Sequence, residues 1–268
     1  MQRGARRGPS RMFMTTTATK YKGVILPVTF LLLVFGSLNR AYGDLLYQTT
    51  VDINGSPGHL VQVLSLKNNG TEAGCVWWNG STSQVSSSAN PCPVSGITNA
   101  GTTGGTTATI ASVVGLAANG ASYLSVIFNG AEPGSAPDLT IEKLILTFYD
   151  PSGVTLYSAS LASPYYIPDA GTGGGTSGFL FRMDYDQYTA AQAVAFSGPN
   201  FGQNRIGLAA EVSGTAGAAE NFYLSAELGT PFPEPAVPEP ASLLTVGTGL
   251  MGVAFFLKRR KRRSPPAA

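Results

Sequence analysis

Two carboxylates one residue apart, Asp184 and Asp186 flanking Tyr185, are the closest this chain comes to a reactive pair. On a strand, residues two apart face the same way, so the pair could hold a calcium ion with a loop carbonyl, or act as acid and nucleophile on a glycoside. Solvated charges at a sheet edge are the plainer reading of the same spacing. His59 is the single histidine and follows Ser56-Pro57-Gly58, with no GxSxG motif in the chain, which favours a surface or capping role over a catalytic base. A lone histidine also excludes a histidine-rich zinc site. The Gly/Thr-rich stretches 96–107 and 170–178 carry no GxxxxGK and read as mobile surface loops rather than phosphate cradles. The residues therefore point to a non-enzymatic domain without a cofactor, calcium being the one ion its acids could take. A secreted, carboxylate-dependent hydrolase acting on glycans is the alternative.

A second group is aromatic. Trp77 and Trp78 follow Cys75-Val76, and an exposed tryptophan on a β-domain can stack on a sugar ring, although core packing against a disulfide explains the same residues. Cys75 and Cys92 are the only cysteines, and no CxxC is present. In an exported chain an even count implies a disulfide, here closing a short loop worth about 3 kcal/mol. Asn-x-Ser/Thr sequons stand at Asn54, Asn69 and Asn79 and matter only in a host that glycosylates them.

The elements that must position these groups are short and β-rich. Runs at 45–53, 60–66, 106–114, 123–128, 139–149, 154–161, 178–183, 193–196, 205–212 and 221–228 alternate or are rich in branched residues. They predict about ten strands and a single all-β sandwich, jelly-roll or Ig-like. Residues 188–195 allow a helical turn at most. Turn chemistry stands at Asn54-Gly55, Asn119-Gly120, Asn129-Gly130 and Asp150-Pro151-Ser152-Gly153, the last joining two strands as a hairpin. Strict alternation along 139–149 would place Leu139, Ile141, Lys143, Ile145, Thr147 and Tyr149 on one face and Leu144, Leu146 and Phe148 on the other.

Charge separates this body from its ends. Over 44–240 there are four Lys/Arg against fifteen Asp/Glu, a net charge of −11, while seven cations lie in 1–43 and six in 258–263. The body would repel phosphate, so nucleic acid is excluded as a partner. Residues 1–43 run from a basic segment to an apolar stretch at 24–35 and then Ala41-Tyr42-Gly43, the order of a signal peptide cut before Asp44. At the other end, 229–240 is a proline-rich linker, 241–257 an apolar run of transmembrane-helix character, and 258–268 a basic tail. Seventeen residues span about 25 Å as a helix, at the short end for a membrane, and the cations after them predict a cytoplasmic tail and an ectodomain outside.

Val237, Pro238, Glu239 and Pro240, the glycine-containing apolar run and the Arg/Lys cluster occur in that order. Together they resemble the PEP-CTERM sorting signal of Gram-negative bacteria. Ala241-Ser242 stand where that family often has Ser-Ser. The resemblance covers about residues 237–263 and implies export by a signal peptidase route. It also implies handling by an exosortase near Pro238-Glu239-Pro240, a transient inner-membrane anchor at 241–257, and delivery to the cell surface or an exopolysaccharide matrix such as a biofilm. A structural, adhesive or polysaccharide-associated module is the cargo such a tail leads one to expect. Nothing in the tail specifies the chemistry of residues 44–228.

Overall fold

The structure is a computed structural model that describes residues 44–53, 59–130, 138–168, 177–228 and 230–233, together with Met251 and Lys258. The chain divides into two compact units, Met1–Ala41 and Tyr42–Ala268. The described residues all belong to the second. The turn at Asn54-Gly55, most of the 170–178 stretch, the sorting motif and nearly all of the apolar run lie outside them.

Thirteen strands are described: β1 (Leu45–Asp52), β2 (Val61–Leu66), β3 (Asn69–Trp78), β4 (Ser83–Val85), β5 (Thr102–Gly105), β6 (Ala108–Thr109), β7 (Ser125–Asn129), β8 (Leu139–Tyr149), β9 (Thr155–Ser160), β10 (Tyr165–Ile167), β11 (Ser177–Met183), β12 (Arg205–Ala216) and β13 (Glu220–Ser225). Two helices, α1 (Leu116–Asn119) and α2 (Tyr185–Ala195), and three 3-10 turns fill connections. The first sheet runs β1-β11-β7-β13-β2-β5, the second β10-β8-β12-β3-β4, with β9 also on β8 and β6 also on β12. Neighbouring strands within each sheet are antiparallel. The pairs nest: β2 with β13, β3 with β12, β7 with β11, and β8 with β9 and β10. One core lies between the sheets, with Phe128, Phe181 and Phe222 from the first meeting Leu144, Leu146, Phe148, Ile206 and Leu208 from the second. The chain is therefore an all-β, two-sheet sandwich, as the alternation predicts.

The register departs from strict alternation in one informative place. Glu211 pairs with Lys143 but Val212 pairs with Ile141, so β8 carries an extra residue. Leu139 and Ile141 consequently join Leu144, Leu146 and Phe148 in the core, while Glu142 and Lys143 both remain half-exposed. A bulge is the usual way to make that switch.

Several expected elements are corrected. The strand expected at 106–114 is two residues of β6 followed by a 3-10 turn, Ile110–Ser112, capped by the Thr109 side chain on Ser112 N–H. Residues 193–195 belong to α2, which spans eleven residues rather than one turn. Its start is fixed by Asp184, whose side chain accepts from Gln187 N–H, satisfying one of the open donors at a helix N-terminus. The loop expected at 96–107 contains β5, an edge strand hydrogen-bonded to β2. The strand β3, between β12 and β4, was not foreseen. Its Gly74 is required by close approach: a Cβ there would stand 1.7 Å from Thr102 Oγ1. Asp150 forms the expected hairpin, taking Ser152 and Val154 N–H on one carboxylate oxygen.

Candidate functional site

The outward face of the second sheet carries a small satellite core. Ala73 and Cys75 of β3, Ala209 of β12 and Ile97 form it, with Trp77, Cys92, Val94 and Ile145 packed against them. The Cys75 and Cys92 sulfurs are bonded, which holds the intervening loop over this face. Trp77 thus packs beside the bridge. Trp78, at the end of β3, donates its indole N–H to Pro151 O at 2.9 Å, and the Arg205 guanidinium sits 4.2 Å from its ring centre. That is a cation–π arrangement.

Beside this core lies a groove of about 390 Å³. It is lined by Trp77, Trp78 and Asn79, by Pro93 and Val94 of the disulfide loop, and by Thr147, Tyr149, Gly153, Thr155 and Ser158 of the β8–β9 hairpin. Tyr149 is only 7% exposed, and burial pushes its phenol above the ordinary range while a Thr147 hydrogen bond pulls the other way. Its ring lies against Gly207 of β12, where a Cβ would come within 3.0 Å of the tyrosine and 2.5 Å of Val76 O. Ser158 Oγ donates to Thr147 Oγ1 at 3.1 Å, and Asn79 Oδ1 accepts Ser81 and Thr82 N–H at 2.9 Å each. The groove is lined by aromatic side chains together with hydroxyl and amide groups held by hydrogen bonds. Tyr149, Thr147, Thr155 and Ser158 were not singled out from sequence, although the outward alternation of Thr147 and Tyr149 in β8 was visible.

The carboxylate pair is elsewhere. Asp184 and Asp186 are not two same-face positions of a strand: Asp184 is the N-cap of α2 and Asp186 lies in its first turn. Asp184 uses Oδ1 for Gln187 N–H and Oδ2 for Asp44 N–H, at 2.9 and 2.8 Å. Asp186 is exposed. Their charges add to burial in raising the Tyr157 phenol. Neither lines the groove of Trp77 and Trp78. Among the described residues, no group of three or more His, Cys, Asp or Glu could hold a metal ion. His59 pairs through Nδ1 with Glu227.

The route from the sandwich toward the tail is built on a buried cation. Arg182 of β11 is 1% exposed, and its guanidinium donates to Ser122 O and Leu228 O. Burial pushes its pKa down to about 10. Ser125 Oγ also donates to Leu228 O, and Gln48 Nε2 to Thr230 O. After β13 the chain therefore passes across β7 and β11 toward β1, putting the exit near the strand that opens the domain. A second groove of about 470 Å³ lies at the helical end, between Ala117–Gly120 and Tyr188, Gln192, Phe196 and Phe201.

The comparisons with known proteins bear on the tail. The family model of the PEP-CTERM protein-sorting motif matches residues 236–261. That motif implies an exported protein, targeted to an exosortase and directed toward the cell envelope. No curated protein and no solved structure matches the chain. No helix among the described residues is long and apolar enough to cross a membrane.

Proposed function

We propose that this is a non-enzymatic surface or matrix protein whose sandwich associates with polysaccharide through the Trp77–Tyr149 groove. The single observation that carries the glycan reading is the groove itself. Two indoles and a phenol stand beside Asn79, Thr147, Thr155 and Ser158, and sugar rings offer an apolar face to stack and hydroxyls to bind. The nested strand pairs support the jelly-roll form over the Ig-like one, since a long hairpin rolled on itself pairs first with last and inner with inner. Fold alone does not choose a function. The acidic body suits a neutral glycan better than a polyanionic one. The transient anchor at 241–257 and exosortase handling near Glu239 complete the reading, with the mature domain held at the surface or in an exopolysaccharide matrix.

Affinity electrophoresis of the exported protein through gels containing neutral polysaccharides tests the ligand. Trp77→Ala is expected to weaken retardation about tenfold, the scale of one lost aromatic contact, while Val154→Ala, at an exposed residue outside the groove, leaves it unchanged. Equal migration of wild type and Trp77→Ala in every polysaccharide would overturn the assignment.

A further inference from the structure

Asp184 holds the backbone nitrogen at which the domain begins. Asp44 N–H donates to Asp184 Oδ2 at 2.8 Å, and Asp184 N–H donates back to Asp44 O at 3.2 Å. The next residue, Leu45, is 1% exposed and pairs with Met183, so Asp44 directly precedes an anchored strand. The division of the chain into units falls between Ala41 and Tyr42, two residues before the expected cleavage at Gly43–Asp44. We propose that Asp184 is a binding site for a primary ammonium, the α-ammonium that leader removal creates on Asp44.

This rests on the signal-peptide reading of residues 1–43. Hydrolysis of the Gly43–Asp44 bond consumes one water, leaves a carboxylate on Gly43 and frees the α-amine of Asp44, which takes up a proton near neutral pH. A neutral amide donor thereby becomes a cation on the same carboxylate oxygen, and a charge-assisted hydrogen bond is stronger than a neutral one. Asp184 then stands between the positive end of α2 and the new ammonium. The contact gains its charge only after the leader is gone, so the trimmed protein is more stable than its precursor.

The ionisable groups near the cap are Tyr157 on β9, whose phenol feels both Asp184 and Asp186, Tyr185, Asp186 and Tyr188 on α2, the side chain of Asp44, and Arg182 two residues earlier on β11, with a pKa of about 10 and Tyr123 beside it. Phenols ordinarily titrate near 10 and carboxyl groups near 4, so the α-ammonium, ordinarily near 8, is the group here that titrates between. The ion pair raises its folded pKa. Its stabilisation is therefore complete below about pH 8 and is lost as pH rises through the folded value. His59 with Glu227 is common to every chain compared and cancels.

The test uses full-length chains exported and trimmed by the host: wild type, and a second chain with Gly-Ser inserted between Gly43 and Asp44. The insertion keeps Ala41 and Gly43 before the cut but moves the ammonium away. Each is compared with its Asp184→Asn and Asp184→Ser forms, serine retaining a capping oxygen without charge. Asp184→Ser is expected to lower the melting temperature about 3 °C more in the chain starting at Asp44 than in the inserted one. That margin should fade between about pH 8 and pH 10. An equal drop in both chains, or identical pH profiles, overturns the ammonium site. N-terminal sequencing that begins at another residue overturns it through the leader boundary instead.

Discussion

At the scale of the residue, buried or fixed polar groups explain more than exposed ones. Arg182 is fully enclosed and its guanidinium serves two carbonyls, one of them on Leu228 at the domain's exit. Arg182→Ala would open a cavity, take the guanidinium from Ser122 O and leave Leu228 O with Ser125 Oγ alone, a loss of about 3 kcal/mol in urea denaturation. Limited proteolysis should then cut near residue 228 sooner. Asp150 offers a pH test. Hydrogen bonds from Ser152 first, then Val154, hold its carboxyl below the usual range. A depressed folded value means its stabilisation is present above the unfolded carboxylate range and lost as pH falls through the folded one. Asp150→Asn should therefore be less stable than wild type at pH 7, and the gap should close as pH falls below the ordinary carboxylate range. The Trp77 and Trp78 cluster was visible in the sequence, but its neighbours were not, because Tyr149 and Trp77 approach only across the sheet, over Gly207.

At the scale of the element, legibility followed how local the cause was. The β8–β9 hairpin could be read directly, since Asp150, Pro151, Ser152 and Gly153 make their own turn. The helix α2 left a signal too, an Asp-x-x-Gln pattern at its start, obscured by the attraction of reading Asp184 and Asp186 as a strand pair. The strand β3 was hidden for a tertiary reason. Glu72 is buried within it and Gly74 is demanded by β5 across the gap, and neither suggests a strand. Gly74→Ala should cost about 2 kcal/mol or more in thermal unfolding, because Thr102 and Ser86 must move. The disulfide staples the loop that covers the satellite core, with a sequence separation of 17. Replacing both cysteines by alanine should cost about 3 kcal/mol and expose Trp77, seen as a red shift and quenching of tryptophan emission.

At the scale of the whole molecule, a net charge near zero conceals three unlike parts. The acidic sandwich lies between a basic N-terminal segment and a basic tail, and the sorting motif matched at 236–261 accounts for the cations that follow the apolar run. The exit strap through Leu228 and Thr230 leads toward β1, so both ends of the described sandwich approach one edge of the first sheet. The groove of Trp77 and Tyr149 opens on the outward face of the second sheet. The proposed binding groove and the exit toward the tail therefore lie on different sheets.

The central claim is export with trimming at both ends, and intact-mass spectrometry of the protein recovered from the cell surface or medium tests it most directly. The account predicts a chain beginning at Asp44 and ending close to Pro238-Glu239-Pro240, with one disulfide. Replacing Glu239 by Ala should return the longer species, still carrying residues 241–263, in the membrane fraction. A surface protein of wild-type sequence that retains residues 241–263, or one that retains residues 1–43, would contradict it.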